Sequence, residues 1–306
     1  MLTVLPIVGQ EEAFALKGGT ALNFFYFDMP RLSVDLDLTF LPIKPRDETL
    51  TDITESLNRI SDKIESFFPK NQVQRIKLKD TDYIYKLIIS DGHSLVKIEP
   101  NMILRGSCYP PAYKTLCKKA CEMFQMEMDI RVLSLADLYG GKICAALDRQ
   151  HPRDLFDMKL LFETNGLDEH ICQAFVVYLA SHNRPMAELL SPNFQDFRQV
   201  YENEFKGMTS IDVSYDELAT INRDLAGRVL TELSGNERKF LLSVKTGSPD
   251  FSLLSISGIE TFPAIRWKVE NILRMKPEKK MIAAEKLKKI LYGSQQENSM
   301  SEPQTG

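Results

Sequence analysis

Apolar residues along this chain fall into two textures. Over the first hundred positions, short alternating stretches interchange with helical spacing. Phe14-Ala15-Leu16-Lys17 predicts a short strand that stops at Gly18-Gly19, and Thr20 to Phe27 predicts a short helix before the break at Pro30. Arg31 to Phe40 alternates polar and apolar over a full strand length, which sets Val34, Leu36, Leu38 and Phe40 toward a core. Asp47 to Phe68 places Leu50, Ile53, Leu57, Ile60, Ile64 and Phe67 at helical spacing and ends at Pro69. Val73 to Leu78, Tyr83 to Ser90 and Leu95 to Glu99 predict three more strands, with Asp91-Gly92 turning the last two into a hairpin.

From about Ser134 the pattern becomes helices joined by short loops. Ser134 and Asp137 resemble a capping box ahead of Leu135, Leu138, Ile143 and Leu147. Pro152 ends that helix and suits the first position of the next, Arg153 to Phe162. Segments 169–182, 215–233, 264–275 and 277–292 carry helical periodicity, and the polar tail 296–306 predicts disorder. The outline is α+β: a core over 1–130 with a mixed sheet and helices, then a mainly helical domain over 131–295.

Composition narrows the class without naming an activity. A chain of 306 residues fits one large or two ordinary domains. With 43% hydrophobic and 26% charged residues it is neither collagen-like nor largely disordered. A net charge of −4 excludes a uniformly basic nucleic-acid coat but leaves room for a local basic face. No apolar run approaches the ~18 residues of a membrane span, and the N-terminal stretch has no basic region to make it a signal peptide. Cys108, Cys117, Cys121, Cys144 and Cys172 are odd in number and scattered, which predicts reduced thiols in a cytoplasmic protein. His93, His151, His170 and His182 have no metal-binding spacing, and no P-loop motif occurs.

Chemistry concentrates in two stretches. In Lys17-Gly18-Gly19-Thr20-Ala21-Leu22, a Gly-Gly turn between strand and helix lets backbone N–H groups approach phosphate oxygens, and Thr20 adds a hydroxyl. In Arg31-Leu32-Ser33-Val34-Asp35-Leu36-Asp37-Leu38, residues two apart on a strand share a face. Asp35 and Asp37 therefore project together, about 7 Å apart, as hard oxygen donors suited to Mg²⁺. The plainer reading is a solvated edge strand, although aspartate is disfavoured in strands. Further on, Lys142 and Arg149 are two helical turns apart, and Asp154 and Asp157 share a face of the following helix. Those four residues also suit a salt-bridge network pinning two helices.

Together, KGGTAL, RLSVDLDL, GGKICAALDR, RDLFD and PAIRWKVENI resemble the AbiEii/AbiGii toxin family over residues 14 to 275. That family lies within the polymerase-β-like nucleotidyltransferase superfamily. The resemblance implies a polymerase-β-like core and an enzyme that transfers a nucleoside monophosphate from an NTP, with Mg²⁺ or Mn²⁺ as cofactor. It assigns Asp35 and Asp37 as metal ligands, Lys142 as the essential lysine, and Asp157 or Asp154 as the essential aspartate. Gly18, Gly19, Thr20, Arg31, Ser33, Arg149 and Arg153 form the expected nucleotide-binding set. Glu99 is the candidate third carboxylate, with a plain strand-end residue as the other reading. The Gly-Thr sequence departs mildly from the Ser that often follows the family's first glycine. The resemblance further implies the toxin of a type IV toxin–antitoxin or abortive-infection system, tRNA or another RNA as acceptor, and an AbiEi-type antitoxin encoded nearby without a stable complex. No membrane partner is expected. Two other readings stay open from the residues: a non-catalytic nucleotide or RNA binder on the same fold, and a transferase acting on a protein or small molecule. Lys276, Lys279, Lys280, Lys286, Lys288 and Lys289 read either as the solvated face of a helix or as a platform for RNA backbone.

Overall fold

A computed structural model describes residues 1–299. Its elements run α1 (Leu5–Val8), β1 (Phe14–Lys17), α2 (Gly18–Ala21, continuing as a π-helical turn over Leu22–Tyr26), β2 (Leu36–Phe40), α3 (Arg46–Phe67), β3 (Gln72–Lys77), β4 (Ile84–Ser90), β5 (Leu95–Asn101), β6 (Ala112–Thr115), α4 (Lys118–Phe124), β7 (Asp129–Val132) and α5 (Leu135–Arg149). Helices follow: α6 (Pro152–Thr164), α7 (Glu169–Ser181), α8 (Met186–Leu189), α9 (Arg198–Glu204), α10 (Tyr215–Glu232), α11 (Gly235–Thr246), α12 (Pro263–Leu273) and α13 (Pro277–Ser299). The chain forms two compact units. One is Met1–Leu138 with Lys206–Asp212; the other is Tyr139–Phe205 with the chain from Val213 onward.

The first unit is built on a mixed seven-stranded sheet in the order β3-β4-β5-β2-β1-β7-β6. β2 runs antiparallel to β1 and parallel to β5, so the strand bearing the predicted carboxylates lies in the middle of the sheet. Leu36, Leu38 and Phe40 are fully buried, as their alternation requires. α3 packs on β3 and β4 through Leu50, Ile53, Leu57, Ile60 and Ile64. Burying each such side chain contributes roughly 1.5–3 kcal/mol, so this amphipathic stripe suffices to fix the helix on the sheet.

Three local expectations need correction. The strand predicted from Arg31 begins only at Leu36. Residues 30–32 pair instead with 208–210, through Leu32 N–H to the Met208 carbonyl (2.9 Å) and Ser210 N–H to the Pro30 carbonyl (2.8 Å). That draws the segment off the sheet and leaves Val34 46% exposed. Phe67, expected on the α3 stripe, is 68% exposed because it stands at the last turn of the helix, past the sheet-facing positions. At Ser134 the Asp137 amide donates to Oγ (3.0 Å) as the capping pattern requires, and the Asp137 carboxylate accepts from the Cys108 and Tyr109 amides and the Ser134 hydroxyl, which fastens the 108–109 loop. Finally, α13 reaches Ser299, so the first residues of the expected tail 296–306 are helical and the rest lies outside the described residues.

The second unit is helical. Pro152 stands at the first position of α6, and His151 caps that helix by accepting the Arg153 amide at Nδ1 (3.1 Å). α6 packs on α10, and α11 packs on α7, α12 and α13. Phe156, Phe175, Phe205 and Phe240 are fully buried among the helices. Among the described residues, no helix is long and apolar enough to cross a membrane.

Candidate active site

In the first unit, β1 ends at Lys17 and the chain turns at Gly18, whose φ of +73° is a conformation open chiefly to glycine. Space makes the same demand, because a Cβ on Gly18 would stand 2.5 Å from Asp37 Oδ2. Lys17 and Asp37 are register partners across β1 and β2, which brings the Asp37 carboxylate over the turn. Gly19 is crowded in turn by Arg31 and Ser33, with a Cβ there 2.6 Å from Arg31 Nη2 and 3.1 Å from Ser33 Oγ. One turn thus gathers Gly18, Gly19, Arg31, Ser33 and Asp37.

The hydroxyls at this turn do something the sequence did not indicate. Thr20, expected to donate to a phosphate, is buried and donates to the Asp35 carbonyl at 2.6 Å. Its proton is thereby used, so Ser33 Oγ, 2.9 Å away, is the donor in the Ser33–Thr20 bond. The pair holds the 33–35 segment against α2. Arg31 is also buried, with Nη1 donating to the Leu32 carbonyl at 2.9 Å. Thr20 and Ser33 therefore brace the turn through their own hydrogen bonds, with buried Arg31 packed against Gly19.

Asp37 on β2 is the register partner of Glu99 on the parallel strand β5, so both point to the same side of the sheet. The carboxylates do not assemble as expected. Among the described residues, no three of His, Cys, Asp and Glu stand close enough together to hold a metal ion. Two causes are visible. Asp35 precedes the strand, and Glu99 is bound to Lys86 of β4, with Nζ 2.7 Å from Oε1. The Lys86 ammonium is held above the usual lysine range first by the hydrogen bond to Glu99, with a smaller contribution from Asp35. A cation therefore already sits in the field of these carboxylates. Lys86 was not singled out from the sequence, although the hairpin register contains it. Ser90 pairs with Leu95, and counting four residues back along each strand brings Lys86 opposite Glu99.

The second unit holds the other cluster. Lys142 of α5 lies between two aspartates of α6, its Nζ 3.0 Å from Asp154 Oδ1 and 3.0 Å from Asp157 Oδ2. Arg149, one α5 face along, donates to Asp154 from Nε (2.6 Å) and Nη2 (3.0 Å). The side chains of Lys142, Asp154 and Asp157 are 7%, 2% and 1% exposed, whereas Arg149 is 62% exposed. Burial raises the Asp154 pKa, but Lys142 and Arg149 outweigh it and hold this carboxyl well below the usual range. Two positive and two negative groups thus share one network, buried at Lys142, Asp154 and Asp157 and open to solvent at Arg149, and both Asp154 oxygens are occupied. Arg153 sits in the first turn of α6, partly exposed.

The model of the nucleotidyltransferase AbiEii toxin family, from type IV toxin–antitoxin systems, matches residues 1–271. The chain belongs to this family. It is accordingly a nucleotidyltransferase toxin of the type IV class. The matched residues contain both clusters and end before α13. Among solved structures, the nucleotidyltransferase toxin MenT4 from Mycobacterium tuberculosis H37Rv shares the fold at 15% identity and a TM-score of 0.56, over 88% of each chain. A search of curated proteins gave no match. The mixed sheet and helices carry the α+β architecture that family membership implies.

Proposed function

We propose that this AbiEii-family chain transfers a nucleoside monophosphate from an NTP to an RNA acceptor in the cytoplasm, the 3′ end of tRNA leading among acceptors. In the reaction, an acceptor hydroxyl oxygen bonds to the α-phosphorus and the bond from that phosphorus to the β-phosphate oxygen breaks. Pyrophosphate leaves, and the hydroxyl proton passes to solvent. The observation that carries the nucleotide part of this reading is the Asp37 carboxylate packed on the Gly18 turn. A carboxylate over a glycine turn that opens a helix places an acidic group beside backbone N–H donors, the two needs of a metal-bound polyphosphate.

Asp35 and Asp37 are the residues that would hold Mg²⁺ or Mn²⁺. Both are partly exposed oxygen donors, and Lys86 supports the fit by showing that this face attracts a cation. The bound metal would neutralise charge growing on the departing pyrophosphate. Lys142 is the proposed essential lysine, a compact ammonium suited to polyphosphate chemistry. Asp154, with both oxygens taken by Arg149 and Lys142, is proposed as its positioning residue, which leaves Asp157 as the essential aspartate. An AbiEi-type antitoxin encoded nearby is the expected regulator, acting without a stable complex.

The test is transfer of label from each α-³²P NTP, in the presence of Mg²⁺, to total bacterial RNA. The expected result is label on tRNA-sized RNA with one or two of the four nucleotides, lost in the Asp35→Asn, Asp37→Asn double variant. Label on protein or on a small molecule instead would overturn the RNA acceptor, and equal labelling by the variant would overturn the assignment of the two aspartates.

A further inference from the structure

The protein as a whole is acidic, with 38 Lys and Arg against 42 Asp and Glu, yet residues 263–293 carry nine Lys and Arg against three Glu. This surplus lies on α12, α13 and the turn between them, where Arg274, Lys276, Lys279, Lys286, Lys288 and Lys289 are all exposed. Some cations elsewhere are paired, as exposed Lys44 is with Asp52 and half-buried Arg75 is with Asp62 and Glu65. On α13, among the described residues, none of these lysines has an ion-pair partner, and Arg274 reaches only Glu270 at 3.4 Å. Trp267, the chain's one tryptophan, stands 60% exposed on α12, a full seven residues and hence about 20° of helix rotation from Arg274.

One apolar side of α13 is already used. Leu287 and Leu291 are each 1% exposed, and α13 packs on α11. Arg238 of α11 donates to the Leu291 carbonyl and lies 5.8 Å from the Tyr292 ring centroid. A helix that lies on a membrane keeps an apolar stripe free to enter the lipid. Here the stripe at Leu287 and Leu291 is inside the fold, and the exposed remainder of α13 carries Lys279, Lys286, Lys288 and Lys289 with only the adjacent pair Met281 and Ile282, 64% and 66% exposed, as large apolar surface among the described residues. Unpaired cations on α13 and an exposed indole on the preceding helix α12 match a phosphate backbone with an unstacked base: cations track the phosphates and the ring stacks on the base.

We propose that α12 and α13 form a docking platform for RNA, with the α13 lysines neutralising backbone phosphates and Trp267 stacking on an unpaired base. This rests on the reading of RNA as the acceptor. The experiment uses the full chain, fluorescently labelled total tRNA and anisotropy over a salt series, with a Lys279→Gln, Lys286→Gln, Lys288→Gln, Lys289→Gln variant. A matched Lys→Arg variant at the same four positions and a Trp267→Ala variant complete the set, and thermal melting confirms folding. Each phosphate contact contributes about 0.7–0.9 to the slope of log affinity against log salt, so the Gln variant should lower that slope by up to ~3. It should weaken binding at least tenfold at about 100 mM salt, while the Arg variant binds as the parent does. Trp267→Ala should weaken binding about fivefold or more with the slope unchanged. If the parent binds tRNA and the Gln variant binds equally, the platform is wrong and the RNA acceptor stands. If the parent binds no RNA, the acceptor reading fails and the platform with it. Binding to phosphatidylserine vesicles in place of RNA, lost in the Gln variant, would assign the surface to a membrane and overturn the proposal.

Discussion

At the scale of single residues, the buried network of Lys142, Asp154 and Asp157 makes a pH-dependent demand on the fold. The Asp154 carboxyl is held well below its ordinary range, first against burial and then by Lys142 and Arg149. Its folded pKa is depressed, so the unfolded chain takes up the proton first as pH falls. The stabilisation is complete above the unfolded carboxylate value of about 4 and is lost as pH drops through the folded value. Thermal melting between about pH 5 and pH 2 should show a steep fall in Tm, and Asp154→Asn should flatten it. At neutral pH the same substitution leaves the Lys142 ammonium with one aspartate fewer, a loss expected at about 3–5 kcal/mol for breaking a buried pair. A Tm profile unchanged by Asp154→Asn would remove Asp154 from the network's energetics. The sequence made these four residues visible because helical spacing alone brings them to two facing stripes. It did not reveal Thr20. A hydroxyl beside a Gly-Gly turn looks open to a phosphate until the chain folds back and offers it the Asp35 carbonyl at 2.6 Å.

At the scale of elements, legibility followed length and periodicity. α3 over Arg46–Phe67 was readable to within a residue or so because its apolar stripe repeats over six turns of helix. β6 and β7, four residues each, were not, since a strand that short carries too few alternations to rise above a loop. α11 was also missed, although its start is marked by a full capping box. Ser234 Oγ accepts the Glu237 amide (3.3 Å), and Glu237 Oε2 accepts the Ser234 amide (2.7 Å). The helix is short, and its apolar positions Phe240, Leu241 and Val244 form a narrow stripe after Gly235 and Asn236, so the signal reads as a turn. The cap matters because α11 supports α7, α12 and α13 together. Ser234→Ala should lower unfolding free energy by about 1 kcal/mol in denaturant titration, with hydrogen exchange rising first in 235–238. No change in either would mean that packing, not the cap, sets this helix start.

At the scale of the whole molecule, the division into units does not follow the order of the chain. Residues 206–212 leave the helical unit and return to the first one, where they bind 30–32 edge to edge. No local pattern announces this, since an isolated bridge between Arg31 and Thr209 joins residues almost the length of a domain apart. Its consequence reaches the candidate site. The paired segment leads directly into Arg31 and Ser33, which crowd Gly19, and on to Asp35 and Asp37. A return segment that holds 30–32 in place therefore fixes the start of the carboxylate strand from outside. Ser210 is the place to test it: its amide donates to the Pro30 carbonyl at 2.8 Å and its hydroxyl to the same atom at 3.1 Å. Ser210→Pro deletes both donors. The variant should keep its helical content and accelerate hydrogen exchange at the Leu32 amide. It should also weaken NTP binding severalfold, although no residue of 206–212 is assigned to the nucleotide. Unchanged exchange at Leu32 would show that the 31–35 segment is held without the return of 206–212, which would then be an incident of the chain path with no bearing on the site.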